Sequence, residues 1–81
     1  MSLSPATIPL SNLPVGSISR VAFLGLDGTL RRRVLDLGLV PGTPVESIRT
    51  GPSGDPTVYA VRGTMIALRN EDASQIIVYP L

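Results

Sequence analysis

The segment TVYAVRGTMIAL, residues 57–68, decides the fold, because two short apolar runs flank a two-residue turn signal. The turn signal is Arg62-Gly63, and Gly63 can adopt the positive φ that a tight antiparallel connection needs. Two runs of this kind around such a turn predict a β-hairpin with strands at 57–61 and 64–68.

Two further apolar runs, Val21–Leu24 and Ile76–Tyr79, lie on either side of the hairpin in the sequence. No unbroken apolar run exceeds four residues, and the runs are separated by Gly and Pro. Runs of this length are typical of strands in a small β domain. They predict a first strand at about 16–24 and a last strand at about 75–79.

A strand at about 43–50 is expected after the turn residues Pro41-Gly42. Val45 and Ile48 cannot both face inward on a regular strand, because side chains alternate between the two faces. Either a bulge separates them or both faces of the strand are partly covered. Upstream, Leu10 and Leu13 are expected to close one end of the core.

One helix is predicted at 29–37, followed by Gly38 at the position of a left-handed C-terminal residue. A helix of nine residues is marginal in water, so it must be held by packing against the sheet. A single helical turn is expected at 70–73. The apolar stripe of the longer helix follows i, i+4, i+7 spacing with one extra residue: Leu30, Val34, Leu37 and Leu35.

The chain has 81 residues, of which 43% are apolar and 16% charged, which indicates one compact domain and excludes intrinsic disorder. Residues 1–9 are expected to form a flexible leader and residues 10–81 the domain. The longest uncharged stretch, 1–19, contains three prolines and lacks the basic start and apolar centre of a signal peptide. Direct membrane insertion is therefore not expected.

The residue types present restrict the chemistry. The chain has no Cys or His, and its seven basic residues are all Arg, so thiolate, imidazole and amine chemistry are excluded. We therefore expect no enzyme and no required cofactor. Metal ligands could come only from carboxylates, and Asp36, Glu46 and Glu71 are the candidates for weak transition-metal binding.

The conspicuous charge feature is the triplet Arg31-Arg32-Arg33. Successive helical residues are about 100° apart, so the three side chains sweep about 200° of the helix surface. A solvated helix face and a surface that docks an acidic partner both remain open. Binding of nucleic acid is not expected, because the net charge of the whole chain is only +1.

Several strings carry a resemblance to a known family. Leu10-x-x-Leu13-x-x-Gly16 is followed by RRRVLDLGLVPGT (31–43), GDP (54–56) and RGTMIALRNEDASQIIV (62–78). Over about residues 10–79 the chain resembles the FeoA family, the small cytoplasmic component of the bacterial ferrous iron transport system. Ser47 departs from the pattern, because family members commonly carry an apolar residue there.

The resemblance implies an SH3-like β-barrel with a helix inserted after the first strand, which agrees with the mainly β fold expected from the apolar runs. It also implies backbone roles at turn positions and burial at core positions. The implied turn residues are Gly38, Pro41, Gly42, Gly54, Asp55, Pro56 and Gly63. The implied core residues are Leu35, Leu37, Ile66, Leu68, Ile77 and Val78.

In function, the resemblance implies an accessory of FeoB, the membrane transporter with a cytoplasmic GTP-binding domain. The protein would then be cytoplasmic, and at the cytoplasmic face of the inner membrane when bound. From their positions, Leu24 and Leu26 are expected to form the docking surface together with Arg31, Arg32 and Arg33.

Two alternatives stay open. The C-terminal SH3-like domain of iron-dependent repressors shares the string pattern, so a metal-responsive regulatory domain is the second hypothesis for function. An apolar strand edge could also pair with a second copy of the chain, which leaves a homodimer open.

Overall fold

A computed structural model describes residues 6–81, which form six strands and two short helices. The strands are β1 (Ile8–Pro9), β2 (Ile18–Leu24), β3 (Pro44–Thr50), β4 (Thr57–Val61), β5 (Thr64–Leu68) and β6 (Ile76–Pro80). The helices are α1 (Gly28–Asp36) and α2 (Asn70–Ala73), and a 3-10 turn covers Leu10–Asn12. The strands form one antiparallel sheet in the order β1-β6-β2-β3-β4-β5.

The mainly β prediction is confirmed, and the sheet is barrel-like without closing. β1 and β5 stand at its two edges. One face of the sheet encloses the core, and α1 lies beside the β5 edge. In the described part of the chain, neither helix is long and apolar enough to cross a membrane.

The predicted hairpin is confirmed with the predicted strand limits. Val61 faces Thr64 across the turn, and both intervening residues have positive φ, 51° at Arg62 and 80° at Gly63. This is the geometry of a type I′ turn, whose twist matches that of the flanking strands. The positive φ of Arg62 was not anticipated.

Of the two alternatives for the 43–50 strand, the structure contains the bulge. The register between β3 and β4 shifts between Ser47 and Arg49, so Ile48 is the extra residue. Val45 and Ser47 both face the core, as alternate residues of a strand do, and the extra residue Ile48 is half-buried. A second register shift in β2, between Val21 and Phe23, buries Val21 and leaves Phe23 on the outer face.

The N-terminal boundary differs from the expectation. Ile8 and Pro9, which were assigned to the leader, form β1 and pair with Val78 and Ile77 of β6. Residues 1–5 of the expected leader lie outside the described residues. Directly after β1, Leu10 and Leu13 are buried and contribute to the core, as predicted.

The end of α1 follows the predicted pattern. Gly38 has φ +100°, and its N–H donates to Leu35 O at 3.0 Å. The N–H of Leu39 donates to Val34 O at 3.1 Å, which completes a Schellman motif. Val34 and Leu39 are both buried, so the apolar contact that accompanies this motif is present as well.

The predicted apolar stripe needs a correction. Val34 is buried and Leu30 packs partly against the core, but Leu35 is half-buried and Leu37 is 37% exposed. Leu35 and Leu37 stay accessible because α1 is short and only one side of it packs against the core. Of the remaining core positions, Ile66, Leu68 and Val78 are buried, whereas Ile77 is half-buried on the outer face.

A candidate docking groove between α1 and β5

A concavity with a volume of about 380 Å³ lies between α1 and β5. One wall comes from the helix, the opposite wall from the strand, and the end from the first turn of α2. We call it the α1–β5 groove. Its lining residues are Leu30, Arg33, Val34, Leu37, Ile66, Ala67, Leu68, Arg69 and Asp72.

The helix divides the arginine triplet between different surfaces. Leu30, Val34 and Leu37 project from one side of α1, and Arg33 lies next to them around the helix, so it reaches the rim of the groove. Arg31 and Arg32 border a separate shallow depression beside Leu35 and Asp36. Arg32 and Arg33 share a further depression beside Leu37, but of the three arginines only Arg33 lines the groove.

A second basic residue, Arg69, faces Arg33 from the other wall. It is the N-cap residue of α2, directly after β5. Within residues 6–81, a guanidinium donates a hydrogen bond only at Arg20, to Gly42 O at 3.0 Å. The guanidiniums of Arg33 and Arg69 therefore keep their donors for a partner, while Asp72 is the one acidic lining residue.

The loop 51–56 fixes the position of α2 at the end of the groove. Asp55 Oδ1 accepts the N–H of Asn70 at 2.9 Å, and Asn70 Nδ2 donates to Gly54 O at 3.0 Å. The carboxylate thus caps α2 from outside, since Arg69 makes no side-chain cap bond. The expectation of a purely backbone role at Asp55 is corrected.

The apolar part of the expected docking surface also needs a correction. Leu26 is only 5% exposed and belongs to the core, where it packs with Val34 and its neighbours. Leu24 is half-buried against the same core. Leu26 cannot offer its side chain to a partner in this conformation, because the chain turns inward between β2 and α1.

The candidate metal ligands lie on three separate elements, Asp36 on α1, Glu46 on β3 and Glu71 on α2. Among residues 6–81, no three Asp or Glu side chains come together as a group that could hold a metal ion. The donor set of the described residues therefore does not fit a tight transition-metal site.

Sequence reasoning missed Arg69, Ala67 and the exposed Leu37 as members of one site. The alternation of strand 64–68 places Ala67 and Arg69 on its outer side, which the pattern could have indicated. The position of α1 beside this strand depends on tertiary packing. Nothing in the local sequence of residues 30–37 or 66–72 indicates that the two segments lie close together.

The comparisons with known proteins agree with this architecture. The family model described as "FeoA domain" matches residues 8–80, which include every strand and both helices. The chain belongs to the FeoA family. The start of the match at residue 8 coincides with β1.

Two relatives illustrate the range of the family. A fusion protein of Porphyromonas gingivalis, an Fe(2+) transport protein A joined to an Fe(2+) transporter FeoB, is 32% identical over 67 residues. The match covers 83% of this chain and 8% of the fusion protein, so the chain spans a small part of that relative. The solution structure of FeoA from Chlorobium tepidum has 34% identity, covers 91% of this chain and 70% of that one, and gives a TM-score of 0.87.

The SH3-like assignment is also supported. A crystal structure of Stenotrophomonas maltophilia FeoA complexed with zinc, described as a prokaryotic SH3 domain protein, shares 32% identity. It covers 85% of this chain and 86% of that one, with a TM-score of 0.77. Solved manganese-dependent repressors reach a TM-score of 0.85 at 17% identity, which shows a common fold alone.

Proposed function

We propose that this chain is an accessory protein of bacterial ferrous iron uptake that binds the cytoplasmic part of the FeoB transporter and modulates it. The protein acts at the cytoplasmic face of the inner membrane when bound. The support is membership of the FeoA family together with a relative in which the two proteins are fused. A fusion maintains a high local concentration of each partner for the other, which favours a pair that associates.

The observation that carries the proposal is the α1–β5 groove. Its floor is apolar, one of its leucines is 37% exposed, and its two guanidiniums have no intramolecular hydrogen bond within residues 6–81. An apolar pocket with a polar rim is the usual form of an interaction hot spot. A partner with an apolar anchor next to carboxylates would complement it.

The proposal is tested by titrating the purified chain with the soluble GTP-binding domain of the FeoB transporter from the same organism. We expect saturable binding by calorimetry, and measurements with and without guanine nucleotide show whether binding follows the nucleotide cycle. Absence of binding to this domain and to the full transporter in detergent would contradict the proposal.

Arginine variants locate the surface. We expect Arg33→Ala and Arg69→Ala each to weaken binding by about two- to fivefold, as rim charges do, and more strongly at low salt. Arg31→Ala and Arg49→Ala are the matched controls, since neither residue lines the groove or shares a depression with a residue that does. Equal losses in all four variants would show that only net charge matters and that the groove is not the docking site.

A metal-responsive regulatory role has weaker support. The likeness to repressor domains extends to the fold alone, and the three candidate carboxylates lie on separate elements. The docking function is therefore the better-supported conclusion.

A further inference from the structure

One edge of the sheet remains without a neighbour next to the α1–β5 groove. β5 is the last strand in the sheet order, and it pairs only with β4. Because a two-residue turn joins these strands, Val61 and Thr64 form a hydrogen-bonded pair, and such pairs alternate with non-hydrogen-bonded ones. Ile66 and Leu68 are then also hydrogen-bonded to β4.

The alternate residues of β5, Met65 and Ala67, direct their N–H and C=O groups away from β4. Within residues 6–81, no turn, loop or cap accepts or donates a hydrogen bond at these groups. Ala67 lines the groove, and the side chain of Met65 is 59% exposed. The groove therefore combines apolar side chains with a set of unpaired backbone donors and acceptors.

A further strand lies about 4.8 Å from its neighbour in a sheet, and its side chains alternate between the two faces. On β5, the side chains of Ile66 and Leu68 face the core. Residues opposite these two would project to the same side, toward Leu30 and Leu37 across the groove. Carboxylates adjacent to such an apolar residue would reach the guanidiniums of Arg33 and Arg69.

We infer that the partner contributes an extended segment of about five residues, with an apolar residue beside acidic ones, that pairs with β5 as a seventh strand of the sheet. This inference rests on the proposed function and specifies how the transporter would be recognised. The charge of the rim selects an acidic segment, and the open strand edge selects an extended conformation.

Proline substitution tests the backbone pairing directly. Proline is tolerated on an edge strand where the N–H faces outward, so Ala67→Pro is expected to retain the fold. It removes one donor and obstructs an added strand, so binding of the GTP-binding domain should weaken by about tenfold or more. Ala67→Ser changes the side chain but keeps the N–H, so the loss of binding in Ala67→Pro beyond that in Ala67→Ser measures the backbone contribution.

Amide hydrogen exchange provides the second measurement, which needs no variant. In the free protein, the amides of Met65 and Ala67 should exchange fast, and those of Ile66 and Leu68 slowly. Saturation with the GTP-binding domain should protect Met65 and Ala67 specifically. Binding without this protection, or unchanged binding by Ala67→Pro, would overturn the inference and leave the proposed function intact.

Two other outcomes bear on which partner, if any, pairs with the edge of β5. If the GTP-binding domain and the full transporter both fail to bind, the proposed function and this inference fall together. If light scattering shows a dimer of the chain alone and the same two amides are protected in it, the occupant of the edge is a second copy, which overturns the acidic segment as its partner.

Discussion

Ser47 is a fully buried polar residue whose hydroxyl has no partner among the described residues. Ser19, on the neighbouring strand, is equally buried, but its hydroxyl donates to Val45 O at 3.1 Å. Ser47 points inward because it lies two residues from Val45 on the same face of β3, before the bulge at Ile48.

We predict that Ser47→Ala stabilises the protein by about 1 kcal/mol, because alanine removes a buried polar group without a partner. In thermal unfolding, that gain corresponds to a rise of about 4–8 °C for a domain of this size. Ser19→Ala is the matched control and should lower the melting temperature. A loss of stability in both variants would show that the Ser47 hydroxyl has a partner in solution.

The titration of Tyr59 makes the free energy of unfolding depend on pH in the alkaline range. Burial raises the pKa of its phenol above the ordinary value of 10.0, because the charged form is poorly solvated in the core. The folded state thus favours the neutral phenol. Its contribution to stability is complete below pH 10 and is lost as the pH rises through the raised pKa.

We predict that the free energy of unfolding falls above about pH 10 and that Tyr59→Phe reduces this fall, since phenylalanine does not titrate. Urea unfolding between pH 8 and pH 11 measures the effect. An identical pH dependence in the Tyr59 variant and the original protein would contradict this assignment.

At the level of elements, the end of α1 and the turn between β4 and β5 meet at a close contact. A Cβ atom added to Gly38 would lie 2.8 Å from Cδ of Arg62, a residue that itself has positive φ. Gly42 has a similar φ of +90°, but no atom lies within 4 Å of its Cβ position. A side chain at Gly42 would meet backbone strain alone, whereas one at Gly38 would meet the same strain and a steric contact with Arg62.

We predict that Gly42→Ala destabilises the protein by about 1–2 kcal/mol through its left-handed backbone and that Gly38→Ala costs more. In an Arg62→Gly background, the cost of Gly38→Ala should fall toward that of Gly42→Ala. Denaturant unfolding of the double-mutant cycle measures this coupling. Equal costs of Gly38→Ala with and without Arg62 would show that the contact has no energetic effect.

For the whole molecule, the distribution of carboxylates predicts the response to metal ions. Asp36, Glu46 and Glu71 lie on different elements, and the described residues contain no His or Cys to join them. Titration with ferrous or zinc ion should give no stoichiometric micromolar binding, and Asp36→Asn, Glu46→Gln and Glu71→Gln should each behave like the original protein. Stoichiometric binding abolished by one of these changes would restore the metal-responsive hypothesis.

The site was predictable only in part, for reasons visible at particular residues. Arg33 was identified together with Arg31 and Arg32 because the triplet is visible in sequence, but that Arg33 alone of the three lines the groove depends on how α1 is oriented. Leu26 lies in a loop between Gly25 and Gly28, a position that suggests exposure. It is buried because the chain turns into the core there. Asp55 is in a turn sequence, and its partner Asn70 is 15 residues away.

The sequence by itself determined most elements of this protein: the hairpin around Arg62-Gly63, the helix followed by Gly38 and the family. These follow from local patterns of apolar alternation, turn residues and capping, which act over a few bonds. The sequence left the bulge in β3 as one of two alternatives. Only the tertiary structure decided that α1 lies beside the open edge of β5, that the leucines of α1 line a groove and that Arg33 and Arg69 face each other across it. The physical reason is that such contacts depend on how residues far apart in the chain bury their surface together, and no local pattern encodes that.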